Sequence, residues 1–235
     1  MRLDQWLIDQ RKSLTRTKAQ QIIKDGHVSV NGERILKPSF QIADQEVVVD
    51  EVKVYVSRSA YKLKNFLPSL PFRVNDLNAL DIGSSTGGFT QVLLEEGAAH
   101  VMAVDVGKGQ LHESLLGDRR VTSLENTDIR QYNPGAVYEL ITSDVSFISL
   151  LHILEQVDLL ASRWIILLFK PQFEVGRNVK RDKNGVVQDN KAIENAKQRF
   201  EEACRALEWE LILTEPSSLK GKEGNIEYCY CFKKD

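Results

Sequence analysis

The sequence predicts an α/β fold, in which a parallel β-sheet is covered by helices on both faces and a small basic α+β unit precedes it. Two observations predict this arrangement. Strand-like and helix-like segments alternate from residue 79 onward, and an excess of positive charge is confined to the first 40 residues. Alternation of this kind is typical of parallel sheets. At 235 residues the chain is long for one domain, and we expect two.

Composition and charge exclude several classes of protein. The chain is 42% hydrophobic and 27% charged, which is typical of a globular protein. Its net charge is −2, yet residues 1–40 hold eight Lys and Arg against four Asp and Glu, so a basic head precedes an acidic body. The longest apolar run, Trp164 to Phe169, is too short for a membrane span, and no signal sequence opens the chain. Three cysteines indicate no disulfide framework. We expect a cytoplasmic protein.

The head predicts two short helices and a small sheet. The first helix is indicated by apolar residues that share one face, Leu3, Leu7 and Ile8. The second runs from Arg16 to Lys24, with Thr15 as its N-cap. A strand starting at His27 leads into Asn31-Gly32, a strong signal for a hairpin turn, and a further strand covers 46–50. The segment 50–57 is rich in β-formers and predicts a short connection to the body, not a flexible tether.

The body predicts strands that alternate with helices. Strands are expected at 79–82, 100–106, 121–125, 140–144 and 164–169, and helices at 88–96, 110–116, 150–160 and 191–207. Two late strands are expected at 210–214 and 225–232. Because no helix separates these two strands, we expect the last one to be antiparallel.

The most informative motif lies where the first body strand turns into the first helix. It reads Asp81-Ile-Gly-Ser-Ser-Thr-Gly-Gly-Phe-Thr, and its glycines, Gly83, Gly87 and Gly88, allow a ligand to approach the main chain. Asp105 ends the next strand, 22 residues after Gly83, where an acid can accept hydrogen bonds from ribose hydroxyls. The pair predicts a cofactor that carries a nucleoside.

The glycine pattern favours one cofactor over two others. Ser85 occupies the position of the second glycine in the dinucleotide fingerprint, which disfavours NAD. No Lys-Ser or Lys-Thr pair follows the glycines, so a P-loop is excluded. S-adenosylmethionine, which has no phosphate, fits the pattern better. The alternative is a tight strand–helix turn with a structural acid.

Four dispersed residues form a candidate catalytic set: Lys62, Asp144, Lys170 and Glu227. Asp144 and Lys170 each end a predicted strand, at the edge of the sheet where ligands bind. Two lysines and two carboxylates can prepare a hydroxyl nucleophile, with Lys170 as the base for a ribose 2′-hydroxyl and Lys62 stabilising the developing oxyanion. Taken one at a time, these residues could instead be solvated charges or a helix cap.

Basic residues of the head are candidates for RNA binding, because Lys and Arg contacts to phosphates supply the affinity for RNA that does not depend on sequence. The set is Arg2, Arg11, Lys12, Arg16, Lys18 and Lys24, together with Arg58 at the start of the body. The alternative is a solvated helix face. No metal site is predicted, since the histidines form no ligand-spaced pair and Cys229 and Cys231 lie in an aromatic strand that favours burial.

These motifs together resemble the TlyA family, some members of which are called haemolysins. Residues 2–7, Gly26-x-Val28-x-Val30-Asn-Gly32 and Lys37-Pro-Ser39 are similar to an S4-type RNA-binding domain. The body is similar to the FtsJ type of RNA 2′-O-ribose methyltransferase. The motifs that carry this likeness are the 81–90 segment, Ala103-Val-Asp-Val-Gly-Lys, Asp144-Val-Ser-Phe, Lys170-Pro-Gln-Phe-Glu and Gly224-Asn-Ile-Glu.

The resemblance implies transfer of a methyl group from S-adenosylmethionine to a cytidine 2′-hydroxyl of ribosomal RNA. It implies an S4-like domain and linker at 1–56, and at 57–235 a Rossmann-like class I methyltransferase with a mostly parallel, seven-stranded sheet. The four-residue set becomes the family's Lys-Asp-Lys-Glu group. Cofactor contacts carry over to Asp81, Gly83, Ser84, Gly87, Gly88, Phe89, Asp105 and Asp128.

Three departures from the family pattern bear on this expectation. Asp128 stands at the position that meets the adenine, where family members often have Asn. Thr15-Arg16 replaces the usual Ser-Arg and keeps a hydroxyl cap. The head begins almost at Met1, as in the shorter members, which modify the large subunit. Two functions from other classes stand beside this one: a non-catalytic RNA-binding or ribosome-assembly factor, and a membrane-lytic protein.

Overall fold

The computed structural model describes residues 1–10, 15–24, 26–50 and 55–235. The chain divides into two compact units, Met1–Val54 and Tyr55–Asp235. Two predicted RNA-binding residues, Arg11 and Lys12, lie outside the described residues, as do residues 51–54 of the predicted connection. Among the described residues, no helix is both long and apolar enough to cross a membrane.

The head unit packs two helices against a three-stranded antiparallel sheet. Its elements are α1 (Leu3–Gln10), α2 (Arg16–Lys24), β1 (Val28–Val30), β2 (Glu33–Arg34) and β3 (Val47–Val49), with strand order β2-β1-β3. Asn31 and Gly32 both have positive φ, 50° and 83°, which is the geometry that the predicted hairpin turn requires. The Thr15 side chain accepts a hydrogen bond from Lys18 N at 3.4 Å, so the predicted N-cap is present.

The body unit is a seven-stranded, mostly parallel sheet with helices on both faces. Its strands are β4 (Asn78–Ile82), β5 (His100–Val104), β6 (Val121–Leu124), β7 (Tyr138–Ser143), β8 (Ala161–Phe169), β9 (Glu210–Pro216) and β10 (Tyr228–Lys233). Its α-helices are α3 (Ser59–Phe66), α4 (Gly88–Glu95), α5 (Glu113–Leu116), α6 (Leu154–Leu160), α7 (Pro171–Glu174) and α8 (Asn190–Ala206). The strand order is β6-β5-β4-β7-β8-β10-β9, and β10 is antiparallel to both of its neighbours, as predicted.

Residues on opposite faces of each strand enter two separate apolar layers. Along β10, Cys229 and Cys231 pack into the layer under α3 and α4, while Tyr230 and Phe232 pack into the layer under α6 and α8. Burial of apolar surface in these two layers supplies the main driving force for folding, at about 25 cal/mol for each Å² removed from water. The two layers hold the sheet rigidly between the helices.

The register of the parallel strands brings the predicted site residues to one edge. Ile82 at the end of β4 is paired with Val104 of β5 on one side and with Ser143 of β7 on the other. The residues that follow these strand ends therefore lie side by side. This edge carries the glycine turn, Asp105 and Asp144.

Two predicted helices differ from the observed ones. The segment 150–160 is not one helix: Leu150–His152 is a short 3₁₀-helix, capped by the Ser149 side chain, and α6 begins at Leu154. In the segment 110–116 only the last turn is helical, because Gly109 N and Gln110 N donate to the Glu125 carboxylate at 2.8 and 3.1 Å. Local propensity cannot reveal such contacts with distant residues.

Candidate active site

The glycine turn joins β4 to α4 and is held by the neighbouring strand. Gly83 N and Ser84 N both donate to the Val104 carbonyl, at 2.8 and 3.2 Å. Gly83 has φ +75°, and a Cβ there would lie 3.1 Å from Val145 Cγ1. Any other residue at 83 would therefore be strained and crowded. Within the turn, Ser85 and Thr86 are exposed and Gly83 is half-buried at the edge of the sheet.

A cavity of about 430 Å³, the glycine-turn cavity, opens beside this turn. Its walls include Gly83, Asp105, Val106, Asp128 and Ile129. The volume falls within the range of small-ligand pockets, about 300–1,000 Å³. The walls combine apolar side chains, which can pack on the faces of a base, with acids that can accept hydrogen bonds from hydroxyl and amino groups. This combination fits a nucleoside.

Two acids of the glycine-turn cavity are held in place by other groups. The Asp105 carboxylate accepts hydrogen bonds from Ser85 N at 2.8 Å and Gly107 N at 2.7 Å. The Asp128 carboxylate pairs with Arg130, whose Nε donates a hydrogen bond to Oδ1 at 3.0 Å. This pairing lowers the pKa of Asp128. Both acids are therefore preorganised as acceptors.

A second cavity of about 750 Å³, the lysine cavity, adjoins the first. All four residues of the predicted catalytic set, Lys62, Asp144, Lys170 and Glu227, line it. The two cavities share part of their walls, namely Gly83, Ser85, Asp144, Ser146 and Phe147. A ligand in one cavity would thus face a ligand in the other across the mouth of the glycine turn.

The four charged residues form two buried ion pairs. Lys62, from α3, donates through Nζ to Glu227 Oε2 at 2.5 Å. Lys170 Nζ lies 2.6 Å from Asp144 Oδ1, and it donates to Ser146 Oγ at 2.9 Å and to the Asp144 carbonyl at 3.2 Å. Charges this deeply buried are retained only when each has a partner. The pairing therefore accounts for how two ammonium groups occupy one cavity.

Unpaired polar atoms concentrate around the same charges. Within the described part of the chain, the buried oxygens Ser143 Oγ and Gln172 Oε1 have no hydrogen-bond partner, whereas Asp144 Oδ1 is satisfied by the ion pair with Lys170. Gln172 also donates through Nε2 to Glu227 Oε1 at 3.1 Å, so it steadies that carboxylate. Most buried polar atoms in proteins are paired, so a ligand or water in the lysine cavity would have acceptors available here.

Several residues of the site have no counterpart in the sequence prediction. Phe147 lines both cavities although its side chain is 92% exposed, and its backbone adopts φ +67°. Its ring lies 5.3 Å from that of Phe173. Arg181 lines the lysine cavity, where its guanidinium donates to the carbonyls of Val179 and Gly176, each at 2.8 Å. Phe147 lies three residues after Asp144, but the sequence does not show that its ring is exposed.

Four other residues that were predicted to contact the cofactor do not line the glycine-turn cavity. Ser84 and Phe89 line the lysine cavity. Gly87 and Gly88 line neither cavity, and packing within the chain explains them: a Cβ would lie 2.2 Å from Leu115 Cδ1 at Gly87 and 2.1 Å from Ser57 Oγ at Gly88. Their contact with a cofactor stays a prediction.

Asp81 lies beneath the turn and lines neither cavity. Its fully buried carboxylate accepts hydrogen bonds from Thr90 Oγ1 at 2.6 Å and Thr142 Oγ1 at 3.0 Å. Burial raises the pKa of Asp81 to about 6, although the two threonines favour its charged form. The structure thus assigns this acid a place in the support of the turn, and its direct contact with a cofactor stays a prediction.

The basic residues of the head lie at its surface to different degrees. Arg16 and Lys24 are exposed on α2, whereas Lys18 is partly buried and its pKa is lowered by desolvation. Arg2 forms a bidentate ion pair with the buried Asp4: Nε donates to Oδ1 at 2.9 Å and Nη2 donates to Oδ2 at 2.8 Å. In the body, Arg58 is exposed at the wall of the lysine cavity.

Comparison with known proteins identifies both units. Residues 55–234 match the family model of FtsJ-like methyltransferases, and residues 1–48 match that of the S4 domain. The chain is 45% identical to the 23S rRNA (cytidine-2′-O)-methyltransferase TlyA of Campylobacter jejuni, with all of both chains covered. It is 39% identical to the 16S/23S rRNA (cytidine-2′-O)-methyltransferase TlyA of Mycobacterium tuberculosis, covering 97% of this chain and 87% of that one.

A solved structure confirms the similarity over the whole chain. A protein titled as a hemolysin from Streptococcus thermophilus superposes with a TM-score of 0.73 at 34% identity. The match covers 100% of this chain and 88% of the other. The predicted α/β methyltransferase fold with an S4-like head is confirmed.

Proposed function

Because the chain belongs to the FtsJ-like methyltransferase family, and within it to the TlyA proteins, we propose that it transfers a methyl group from S-adenosylmethionine to the 2′-hydroxyl of a cytidine in 23S ribosomal RNA. The observation that carries this proposal is the convergence of Lys62, Asp144, Lys170 and Glu227 on one cavity. That cavity shares a wall with the one built by the glycine turn. A reacting hydroxyl and a methyl donor would meet there.

The glycine-turn cavity supports S-adenosylmethionine as the cofactor. Asp105 would accept hydrogen bonds from the ribose hydroxyls, and the main chain at Gly83 would lie against the cofactor. Asp128 would accept from the adenine amino group, with its charge maintained by Arg130. When bound, S-adenosylmethionine supplies a methyl group on a cationic sulfonium.

The lysine cavity supports oxygen as the acceptor of the methyl group. The ribose oxygen would form its bond to the methyl carbon as the bond from that carbon to the sulfonium sulfur breaks, which leaves a neutral thioether, and the hydroxyl proton would pass to Lys170 Nζ. To act as this base, Lys170 would first give one proton to water. Ser146 Oγ, at 2.9 Å from Nζ, is able to turn from accepting a hydrogen bond to donating one when the amine is neutral.

The other ion pair has a complementary task. Lys62 lies in the same cavity and carries a positive charge that would stabilise the developing oxyanion. Glu227 accepts from Lys62 on one oxygen and from Gln172 on the other, which fixes the ammonium in place. Positioning of this kind contributes most of the rate in a transfer that requires in-line alignment.

The aromatic pair at the mouth supports an unpaired nucleotide as the substrate. An exposed ring such as Phe147 can stack on a base, and RNA is read where its bases are splayed out of a helix. Arg58 at the same cavity would contact a phosphate. The target cytidine is therefore expected in a loop or in a flipped-out state.

The head would supply affinity for folded RNA. We assign the RNA-binding unit and its linker to residues 1–56 and the transfer reaction to residues 57–235. Arg2, Arg16, Lys18 and Lys24 would contact phosphates, which fixes orientation and register without reading sequence. The protein would act on assembled ribosomal subunits in the cytoplasm.

The test is transfer of a labelled methyl group to isolated 50S and 30S subunits from cells that lack this modification. We expect label on a cytidine ribose of 23S RNA, identified as 2′-O-methylcytidine after nuclease digestion. Label on a base, or on neither subunit, would overturn the proposal. RNA binding without cofactor binding in a calorimeter would point to a non-catalytic assembly factor, and leakage of liposomes would point to a lytic protein.

A further inference from the structure

Glu174 links the two segments that carry the Lys170–Asp144 pair. It ends α7, which begins directly after Lys170, and it is only 8% exposed. Its carboxylate accepts hydrogen bonds from the Ser149 hydroxyl and from Leu150 N, the latter at 2.8 Å. Both donors follow the 144–148 loop, which carries Asp144, Ser146 and Phe147. One side chain thus connects the helix after the lysine with the loop after the acid.

The 144–148 loop needs such a tether because its backbone is strained. Phe147 has φ +67°, in the left-handed region that bulky residues rarely adopt, while its side chain is 92% exposed. A strained residue of this kind persists only where the surrounding contacts hold it. At its start the loop is held by Asp144 N, which donates to the Ile82 carbonyl at 3.1 Å. At its end the carboxylate of Glu174 holds it.

Burial of the Glu174 carboxylate costs free energy. Burial raises the pKa of its carboxyl, and the hydrogen bonds from Ser149 and Leu150 act in the opposite direction. Its own carbonyl accepts from Arg199 Nη2 at 3.2 Å, which anchors the end of α7 to α8. A buried acid costs stability unless its bonds compensate. Within the described residues, the hydrogen bonds of its carboxylate all go to the end of the 144–148 loop.

We propose that Glu174 is a positioning residue for methyl transfer: it holds the 144–148 loop so that Asp144, Ser146 and Phe147 stand at their places around Lys170. Glu174 lines neither cavity, so it acts through the loop and not on the substrate. The role of Glu174 in methyl transfer rests on the proposed function, whereas its restraint of the 144–148 loop can be tested without that function.

The experiment compares Glu174→Ala and Glu174→Gln with Glu201→Gln as a matched control. Glu201 also accepts a hydroxyl, from Tyr230 at 2.8 Å, but lies on α8 away from both cavities. We expect kcat per cofactor-binding molecule to fall about 100-fold in Glu174→Ala, the loss that follows from a small misplacement of catalytic groups. The Glu174→Gln variant keeps an acceptor for Leu150 N and should recover part of that loss. The Kd for S-adenosylmethionine should rise no more than about tenfold in the two Glu174 variants, because the 144–148 loop lines part of the glycine-turn cavity while Asp105 and Asp128 are untouched. It should not change in Glu201→Gln.

A second readout needs no activity. Chymotrypsin cleaves after exposed phenylalanines in locally open segments, so release of the loop should speed cleavage after Phe147 in Glu174→Ala and leave it unchanged in Glu201→Gln. An unchanged cleavage rate together with an unchanged kcat would overturn the inference. So would a loss of kcat matched by an equal loss of cofactor affinity, which is the result of general unfolding. Failure of the unmodified protein to methylate RNA would instead overturn the proposed function, and the cleavage assay would still report on Glu174.

Discussion

The two adjoining cavities are built in different ways. The glycine-turn cavity comes from consecutive strand–loop units, and its acids are held by backbone N–H groups or by an arginine two residues away. The lysine cavity takes its charges from positions as distant as 62 and 227, and each charge is held by another charge. We therefore expect substitutions in the lysine cavity to have larger effects than those in the glycine-turn cavity, because removing one charge there leaves its partner buried and unpaired.

The largest effect should come from the lysine cavity. Lys170→Ala removes the proposed base and should lower kcat about 1,000-fold, the typical contribution of general acid–base catalysis. Cofactor affinity should hardly change, because Lys170 does not line the glycine-turn cavity. Single-turnover methylation and calorimetry measure the two quantities, with the exposed Lys191→Ala as control. Methyl transfer that persists in Lys170→Ala would contradict the assignment of Lys170 as the base and, with it, the greater sensitivity of the lysine cavity.

The second effect concerns stability. Glu227→Ala leaves the Lys62 ammonium buried without its partner and should destabilise the protein by about 2 kcal/mol, less than for a closed site because the cavity admits water. The double variant Lys62→Met with Glu227→Leu replaces the pair by apolar groups. It should regain most of the stability in urea unfolding but none of the activity. A double variant that methylates would show that this pair is structural.

The third effect belongs to the glycine-turn cavity. Asp105→Asn keeps one acceptor oxygen and should weaken the binding of S-adenosylmethionine about tenfold, the value of one hydrogen bond to a charged group. At saturating cofactor, kcat should change less than twofold, about 0.4 kcal/mol. Calorimetry and saturation kinetics separate these parameters. A loss confined to kcat would contradict the division of labour between the cavities.

A fourth effect, measured per unit of pH, distinguishes support of the turn by Asp81 from contact with the cofactor. The pKa of Asp81 is raised to about 6, so the folded protein holds this proton more strongly than the unfolded chain does. The free energy of unfolding should therefore fall as pH rises from about 4 to 6, by about 1 kcal/mol per pH unit at most. Asp81→Asn should remove that part of the slope in urea titrations at several pH values. If the same variant also loses cofactor affinity, the carboxylate reaches the cofactor.

The sequence predicts the glycine-turn cavity better than the lysine cavity, for a physical reason. Gly83 and Asp105 follow strand ends, and parallel strands bring their ends together whatever the rest of the chain does. Asp144 and Lys170 are predictable on the same ground. Lys62 on α3 and Glu227 before β10 follow no predicted strand end, so the sequence offers them as candidates by their chemistry but cannot show that they meet the other two residues.

The other differences from the sequence prediction arise from contacts between residues that are distant in the chain. Hydrogen bonds from Gly109 N and Gln110 N to Glu125 replace the start of a predicted helix. Glu174 has the same kind of role, since its partners lie 24 and 25 residues earlier in the chain. Phe147 escapes prediction because nothing in its neighbourhood distinguishes an exposed functional ring from an ordinary loop residue.

The burial of the cysteines has a practical consequence. Cys204, Cys229 and Cys231 are all free and shielded from water, and desolvation raises the pKa of Cys229 to about 12. Thiolate is the form that alkylating reagents attack, so the native state is protected twice, by access and by protonation. Iodoacetamide should therefore label Cys229 and Cys231 only when β10 opens, and Cys204 only when α8 does, so that the rate at each cysteine measures the opening of its own element.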